Sequence, residues 1–261
     1  GPVGVGALAG VAFFSDTRPS INLFTSYWNT YSSLSLASLP MFIWMGEILF
    51  RTRLAEQMFA GLAPWLDRLP GRLLHVNVIG CGLFGAVSGS SAATCATIAK
   101  ISLPELGRRG YDPGMTLGSL CGAGTLGILI PPSIPIIVYA FAADVSILRV
   151  FIAGILPGIM LAFLFMAYIW VAVARRPGLA PTFEPMAWRA RLAKVLLMWP
   201  IFLIMTVVIV GIYAGIVTPA ESAAVGASIA LVLALVFRKL TWKILWSSLL
   251  DTVRSTSMLL F

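Results

Sequence analysis

The residues of this chain best suited to chemistry are hydroxyls set against backbone that cannot stay helical. One stretch reads Gly85-Ala86-Val87-Ser88-Gly89-Ser90-Ser91, with Thr94 close behind. The other runs Gly124-Thr125-Leu126-Gly127-Ile128-Leu129-Ile130-Pro131-Pro132-Ser133-Ile134-Pro135. Its prolines lack an N–H and clash with the preceding turn, so the second stretch divides its segment into two half-helices. A helix that stops leaves carbonyls free at its C-terminus and N–H groups free at its N-terminus. C-termini near Ala86–Val87 and near Gly127–Leu129 would offer carbonyls to a cation. N-termini after Ser90 and after Ser133 would offer amides to an anion. Ser88, Ser90, Ser91, Thr94, Thr125 and Ser133 add hydroxyls. A proline kink beside a Gly/Ser packing seam is the bland alternative. Two such breaks in one apolar chain point instead to a transporter's binding site.

Other chemistry is sparse. Asp16, Glu56, Asp67, Glu105, Asp112, Asp144, Glu184, Glu221 and Asp251 are expected at segment ends or in loops, and only Glu47 lies within an apolar run, with Arg51 one turn later as its partner. Carboxylates inside the membrane are the usual proton carriers, so neutral oxygen clusters favour Na⁺ as the coupling ion. His75, the one histidine, reads as a capping or interfacial residue. Cys81, Cys95 and Cys121 form neither a disulfide framework nor a metal spacing and read as small packing residues.

The elements that hold these residues must lie in lipid. Of 261 residues 59% are apolar and 11% charged, with mean hydropathy +0.95; soluble domains carry about 25% charged residues. Several runs reach the roughly 20 residues of a membrane span, which predicts an all-α polytopic membrane protein. The net charge of +8 is not a nucleic-acid signal, because Lys and Arg fall in short clusters between the runs, as cytoplasmic loops require. Trp28, Trp65, Trp170, Trp188, Trp242 and Trp246 mark run ends, where indole rings favour the interface.

The apolar segments are 1–15, 34–50, 74–104, 114–143, 147–174, 195–217, 219–237 and 250 onward. The basic loop 175–194 sets the cytoplasmic side, and segments 195–217 and 219–237 then go out and back. Segment 74–104 is flanked by Arg72 and by Arg108–Arg109, so both of its ends belong to the cytoplasm. Its 31 residues would run roughly 46 Å as one helix, against a core of about 30 Å. It is expected to fold as a re-entrant helical hairpin with its tip at Ser88–Ser91. Residues 51–73 form an amphipathic arm along the interface, with Leu54, Met58, Leu62 and Leu66 on its apolar side.

Certain motifs carry a resemblance: FGAVSGSSAAT at 84–94, LPELGRRGYD at 103–112, GTLGILIPPSIPIIVYA at 124–140, FIAGILPG at 151–158 and GIYAGIVTPAESAAVGA at 211–227. They resemble the large membrane subunit of the tripartite ATP-independent periplasmic (TRAP) transporters along nearly the whole chain, which looks like that subunit's front portion. The resemblance implies an inverted-repeat, elevator-type transporter of the bacterial inner membrane. It would import a small organic acid on a Na⁺ gradient. Its implied partners are a periplasmic substrate-binding protein and a small membrane subunit, with no cofactor beyond the ion. Carried over onto these motifs, Ser88, Gly89, Ser90, Thr125 and Gly127 would hold Na⁺. Ser90, Ser91, Thr94, Pro132 and Ser133 would face the carboxylate solute. Residues 1–50 would be scaffold and 74–143 half of the moving domain, followed by a helix at 147–174. Segment 195–217 would be a connector, and 218–261 would begin the inverted second repeat.

Two other classes compete. The membrane permease of an ATP-driven importer needs no re-entrant hairpin and would need a loop coupled to an ATPase. A membrane-embedded enzyme would need a His, Asp or Cys constellation that the sequence does not display.

Overall fold

The computed structural model describes Thr25, Trp28 and residues 34–52, 54–181 and 188–260; segment 1–15, Asp16 and Glu184 lie outside them. Twelve α-helices and one 3₁₀ turn, Pro177–Leu179, make up the described fold, with no strand among these residues. The helices are α1 Leu34–Arg51, α2 Leu54–Leu66, α3 Leu73–Ser88, α4 Ser91–Arg108, α5 Pro113–Gly124, α6 Leu126–Leu129, α7 Ile134–Ala142, α8 Ile147–Arg175, α9 Trp188–Leu196, α10 Trp199–Tyr213, α11 Pro219–Val236 and α12 Trp242–Leu260.

Local chemistry sets the boundaries. Gly89, at φ 63°, ends α3 in the left-handed region, and its N–H donates to the Gly85 carbonyl (2.8 Å). Ser90 caps α4, accepting from Ala93 N. Asp112 caps α5 through Oδ1, which accepts from Met115 N at 2.7 Å, and Pro113 occupies the first turn, where its missing donor costs nothing. Thr218 and Glu221 form a reciprocal capping box at the start of α11.

Helices α3 and α4 form a hairpin. Ser102 Oγ donates to Asn77 Oδ1 near its feet, and the Ser88 and Thr94 hydroxyls meet at 2.9 Å near its tip. Both feet lie beside the C-terminal end of α8. A side-chain carbon added to Gly71 would stand 2.6 Å from Ile169, and Asp112 N donates to Leu179 O at 3.2 Å. At the other end, a carbon added to Gly158 of α8 would stand 3.0 Å from Ile130, at the break in the second stretch. The hairpin thus shares its feet with the 175–179 end of α8 and its tip with the 130–133 break.

Among the described residues three apolar helical stretches are long enough to cross a membrane: 113–142, 147–175 and 219–236. The core packs α1 against α3, α7, α11 and α12, with Phe42, Met45, Ile48, Leu49 and Phe84 fully buried. Arm α2 buries Leu54, Met58 and Phe59, and the Trp65 and Trp188 rings meet edge-on at 5.5 Å, pinning α2 to α9.

Two expected boundaries move. The basic loop is helical from Trp188, and the connector begins not at 195 but with α10 at Trp199, after a turn at Leu197–Met198. The last segment starts at Trp242, eight residues before 250. This places Asp251 mid-helix rather than at a segment end. Ser247, Ser248, Asp251 and Ser255, at helical spacing, thinned the continuous apolar run by which a spanning segment is found.

Candidate functional site

The two breaks that were separate in sequence pack together. The Gly89 carbonyl, left free by the end of α3, accepts from Ile134 N at the start of α7 (3.1 Å). A carbon on Gly85 would stand 2.7 Å from Gly127 Cα, and one on Gly127 would stand 3.3 Å from Ser91 Cα. The backbones of tip and broken helix are therefore in van der Waals contact, an approach open only to glycine. A carbon on Gly46 would likewise stand 2.9 Å from Ser88 Cα, so α1 presses directly on the tip.

Five of the candidate residues, Ser88, Gly89, Ser90, Ser91 and Gly127, converge here, with Pro132 and Ser133 beside them. The Pro132 carbonyl faces Gly89, and the Pro131–Pro132 peptide is cis. Ser88 is buried and bonded to Thr94, itself fully buried. Ser133 Oγ and Ser91 Oγ are buried with no hydrogen-bond partner among the described residues. Buried hydroxyls are nearly always satisfied, and these two, both expected to face the solute, have no such partner among the described residues. Thr125 lies apart: its backbone is helical and its exposed hydroxyl donates to Gly122 O at 2.7 Å. The helix is interrupted at Thr125, between α5 and α6, and the chain turns extended at Ile130, ahead of Pro131, which cannot take part in the ladder.

The helix N-termini are unequal. At α7, Ile134 N is taken by Gly89 and Pro135 has no N–H, which leaves Ile136 as the unpartnered amide of that turn. At α4, Ser91 N and Ala92 N are unpartnered among the described residues, while Ala93 N goes to Ser90 Oγ and Thr94 N to Ser90 O. The unpartnered amides thus lie chiefly on α4. They open on a cavity of about 340 Å³ lined by Ser88, Ser90 and Ala92 of the hairpin, Gly46 and Glu47 of α1, and Ser255 of α12.

Sequence reasoning had left Glu47 and Ser255 out of the site. Glu47 was visible as the lone carboxylate in an apolar run. Ser255 carried no signal, since only the packing of α12 on α1 brings it there. Arg51 holds Glu47 through Nε (3.1 Å), donates to Ser247 Oγ (2.9 Å) and pairs with Asp251. Trp44 Nε1 donates to Ser248 Oγ (3.1 Å) on the same seam.

His75 sits buried at the hairpin foot, its Nε2–H donating to Pro70 O at 2.7 Å across the turn into α3. Cys81 is buried, Cys95 half-buried and Cys121 exposed, all as free thiols.

Apolar helices, a hairpin and a discontinuous helix joined at their breaks define an all-α polytopic membrane protein. The chain belongs to the tripartite ATP-independent periplasmic transporter family, DctM component, whose family model matches residues 3–261. It is similar to the C4-dicarboxylate TRAP transporter large permease protein DctM of Pseudomonas aeruginosa, with 34% identity over 83% of this chain and 50% of that protein. It is also similar to the ectoine/5-hydroxyectoine TRAP transporter large permease protein UehC of Ruegeria pomeroyi, with 34% identity over 72% of this chain and 44% of that protein. A third relative is the isethionate TRAP transporter permease protein DctMQ of Oleidesulfovibrio alaskensis, with 32% identity over 75% of this chain and 31% of that protein. The chain spans about half the length of the curated relatives it matches, or less. The family is one of ATP-independent transporters of the bacterial inner membrane, which favours neither the enzyme reading nor the ATP-driven rival.

Proposed function

We propose that this chain supplies half of the moving unit of a secondary transporter that imports a small organic acid on a Na⁺ gradient. The observation that carries the reading is the junction of hairpin tip and broken helix, where the Ser91 and Ser133 hydroxyls stand buried and unpartnered. Both are expected to face the solute; as neutral oxygens they also suit Na⁺, and we add them to its site. The α4 amides at Ser91 and Ala92 supply the positive pole of a helix to a carboxylate.

The elevator reading has a physical basis in lengths. The 16 residues of α3 and 18 of α4 span roughly 24 and 27 Å, short of a bilayer core of about 30 Å. With both feet beside Arg175, the tip would end within the membrane, where irregular backbone is tolerated only inside protein or against a wet cavity. The Gly46–Ser88 contact would then be the face on which the hairpin slides past α1.

The three relatives are named for C4-dicarboxylates, isethionate and the ectoines, solutes that each carry an anionic group. A periplasmic binding protein would deliver the solute, and a small membrane subunit would brace the scaffold. The test is uptake by the full-length complex in proteoliposomes, over a panel of carboxylates with and without a Na⁺ gradient. Uptake that needs inward Na⁺ supports the reading; uptake that persists without Na⁺ but needs ATP overturns it.

A further inference from the structure

A cavity larger than the one at the hairpin tip lies elsewhere in the fold. A groove of about 840 Å³ runs between α5 and α8, walled by Met115, Leu164, Phe165 and Tyr168 and closed at one end by Arg175 and Arg176. Tyr168 and Leu164 are 67% and 57% exposed, too much apolar surface for a site that faces water. Helix α8 is also the most apolar spanning candidate, at mean hydropathy 2.5 with 11% of its window buried, so lipid must solvate its outer face. The polar atoms deeper in the groove are already engaged: Asp112 Oδ1 accepts from Met115 N, and Ser119 Oγ donates to Thr116 O and accepts from Asn77. Arg175 and Arg176 have no acidic partner among the described residues.

We infer that this groove is a binding site for one anionic phospholipid, its phosphate on Arg175 and Arg176 and an acyl chain along Leu164 and Phe165. Paired guanidiniums match phosphate oxygens with two-pronged hydrogen bonds, and a tyrosine at Tyr168 suits the headgroup level, with its ring in acyl chains and its hydroxyl in water. Basic pockets between spanning helices on the cytoplasmic side are suited to anionic headgroups. The site sits where α8 meets the hairpin feet, so an occupant would brace the moving unit at its hinge end.

Native mass spectrometry of the full-length complex tests this, comparing retained phosphatidylglycerol with phosphatidylcholine of the same acyl chains. Inorganic phosphate and glycerophosphate serve as headgroup-only controls. Wild type should retain phosphatidylglycerol preferentially, and R175Q/R176Q should lower that retention about tenfold or more. R175K/R176K, which keeps the charge but not the two-pronged hydrogen bonds, should recover part of it and shows that the fold survives. Phosphatidylglycerol with a photoreactive acyl chain should crosslink to the peptide holding Leu164. The site is overturned by equal retention of the two lipids, by unchanged retention in R175Q/R176Q, by competition from inorganic phosphate alone, or by a crosslink from Leu164 to the small membrane subunit in place of lipid.

Discussion

Ile134 donates its N–H to the carbonyl of Gly89, 3.1 Å away, and so ties the end of one broken element to the beginning of another. That bond joins the hairpin tip to the discontinuous helix across 45 positions of chain. It requires Gly89 at φ 63°, with Ile134 Cγ1 only 3.2 Å from where a side chain would start. Gly89→Ala is therefore expected to cost about 1–2 kcal/mol for the left-handed conformation alone and to abolish most uptake. Thermal unfolding in detergent and proteoliposome uptake check both parts.

Gly85 faces Gly127 backbone to backbone. Gly85→Ala would force the tip away from α6, at about 1–3 kcal/mol for an overpacked contact, whereas Gly107→Ala, with open space around it, should leave melting temperature and uptake unchanged. Equal behaviour of the two variants would separate the tip contact from transport.

Ser133→Ala removes a buried hydroxyl that has no protein partner. The variant should be as stable as the parent without Na⁺, or more so by up to about 1 kcal/mol, since an unsatisfied group is removed. Its Na⁺ requirement should rise several-fold in a titration of uptake against Na⁺. A loss of stability with an unchanged Na⁺ curve would make Ser133 structural only.

Arg51 reaches from α1 to Asp251 on α12 while holding Glu47. These helices lie on opposite sides of the expected repeat boundary, so the pair would join the two repeats. A double-mutant cycle on R51Q and D251N should give a coupling of about 1 kcal/mol, modest because both side chains are partly exposed. A coupling near zero would leave the seam to Trp44, Ser248 and apolar packing.

Glu105, at the hairpin foot, bonds Arg109 and Arg108 at 2.6 Å each. The Arg109 hydrogen bond and the two guanidinium charges outweigh burial and hold its carboxyl below the ordinary value of 4.5. A depressed folded pKa adds stability above the unfolded value, and that stability is lost as pH falls through the folded one. The melting temperatures of wild type and Glu105→Gln should thus differ slightly at neutral pH and converge as the solution is acidified below the carboxylate range.

Much of this was legible in the sequence because its signals were local. Pro131, Pro132 and Pro135 must break a helix wherever they stand, and Gly89 between serines marks a turn before any tertiary contact is known. Arg72 and Arg108–Arg109 placed both hairpin feet together by charge alone. What escaped depends on packing between distant segments. Asp251 read as a segment end and Ser255 carried no signal until α12 lies on α1, and the short α6 between Thr125 and Ile130 was not foreseen inside the break. The unequal helix N-termini were equally hidden, because only the fold sets the Gly89 carbonyl on Ile134 N.

The central claim is that the hairpin enters and leaves the membrane on one side. Cysteines placed singly at Arg68, Arg108 and Asp144, all exposed, in a background lacking Cys81, Cys95 and Cys121, can be labelled in intact cells with an impermeant thiol reagent. Labelling of position 144 from outside, with positions 68 and 108 both protected until the membrane is opened, is the expected result. Outside labelling of 68 or 108 alone would mean that the chain between them crosses the bilayer, and the shared site would have to be abandoned.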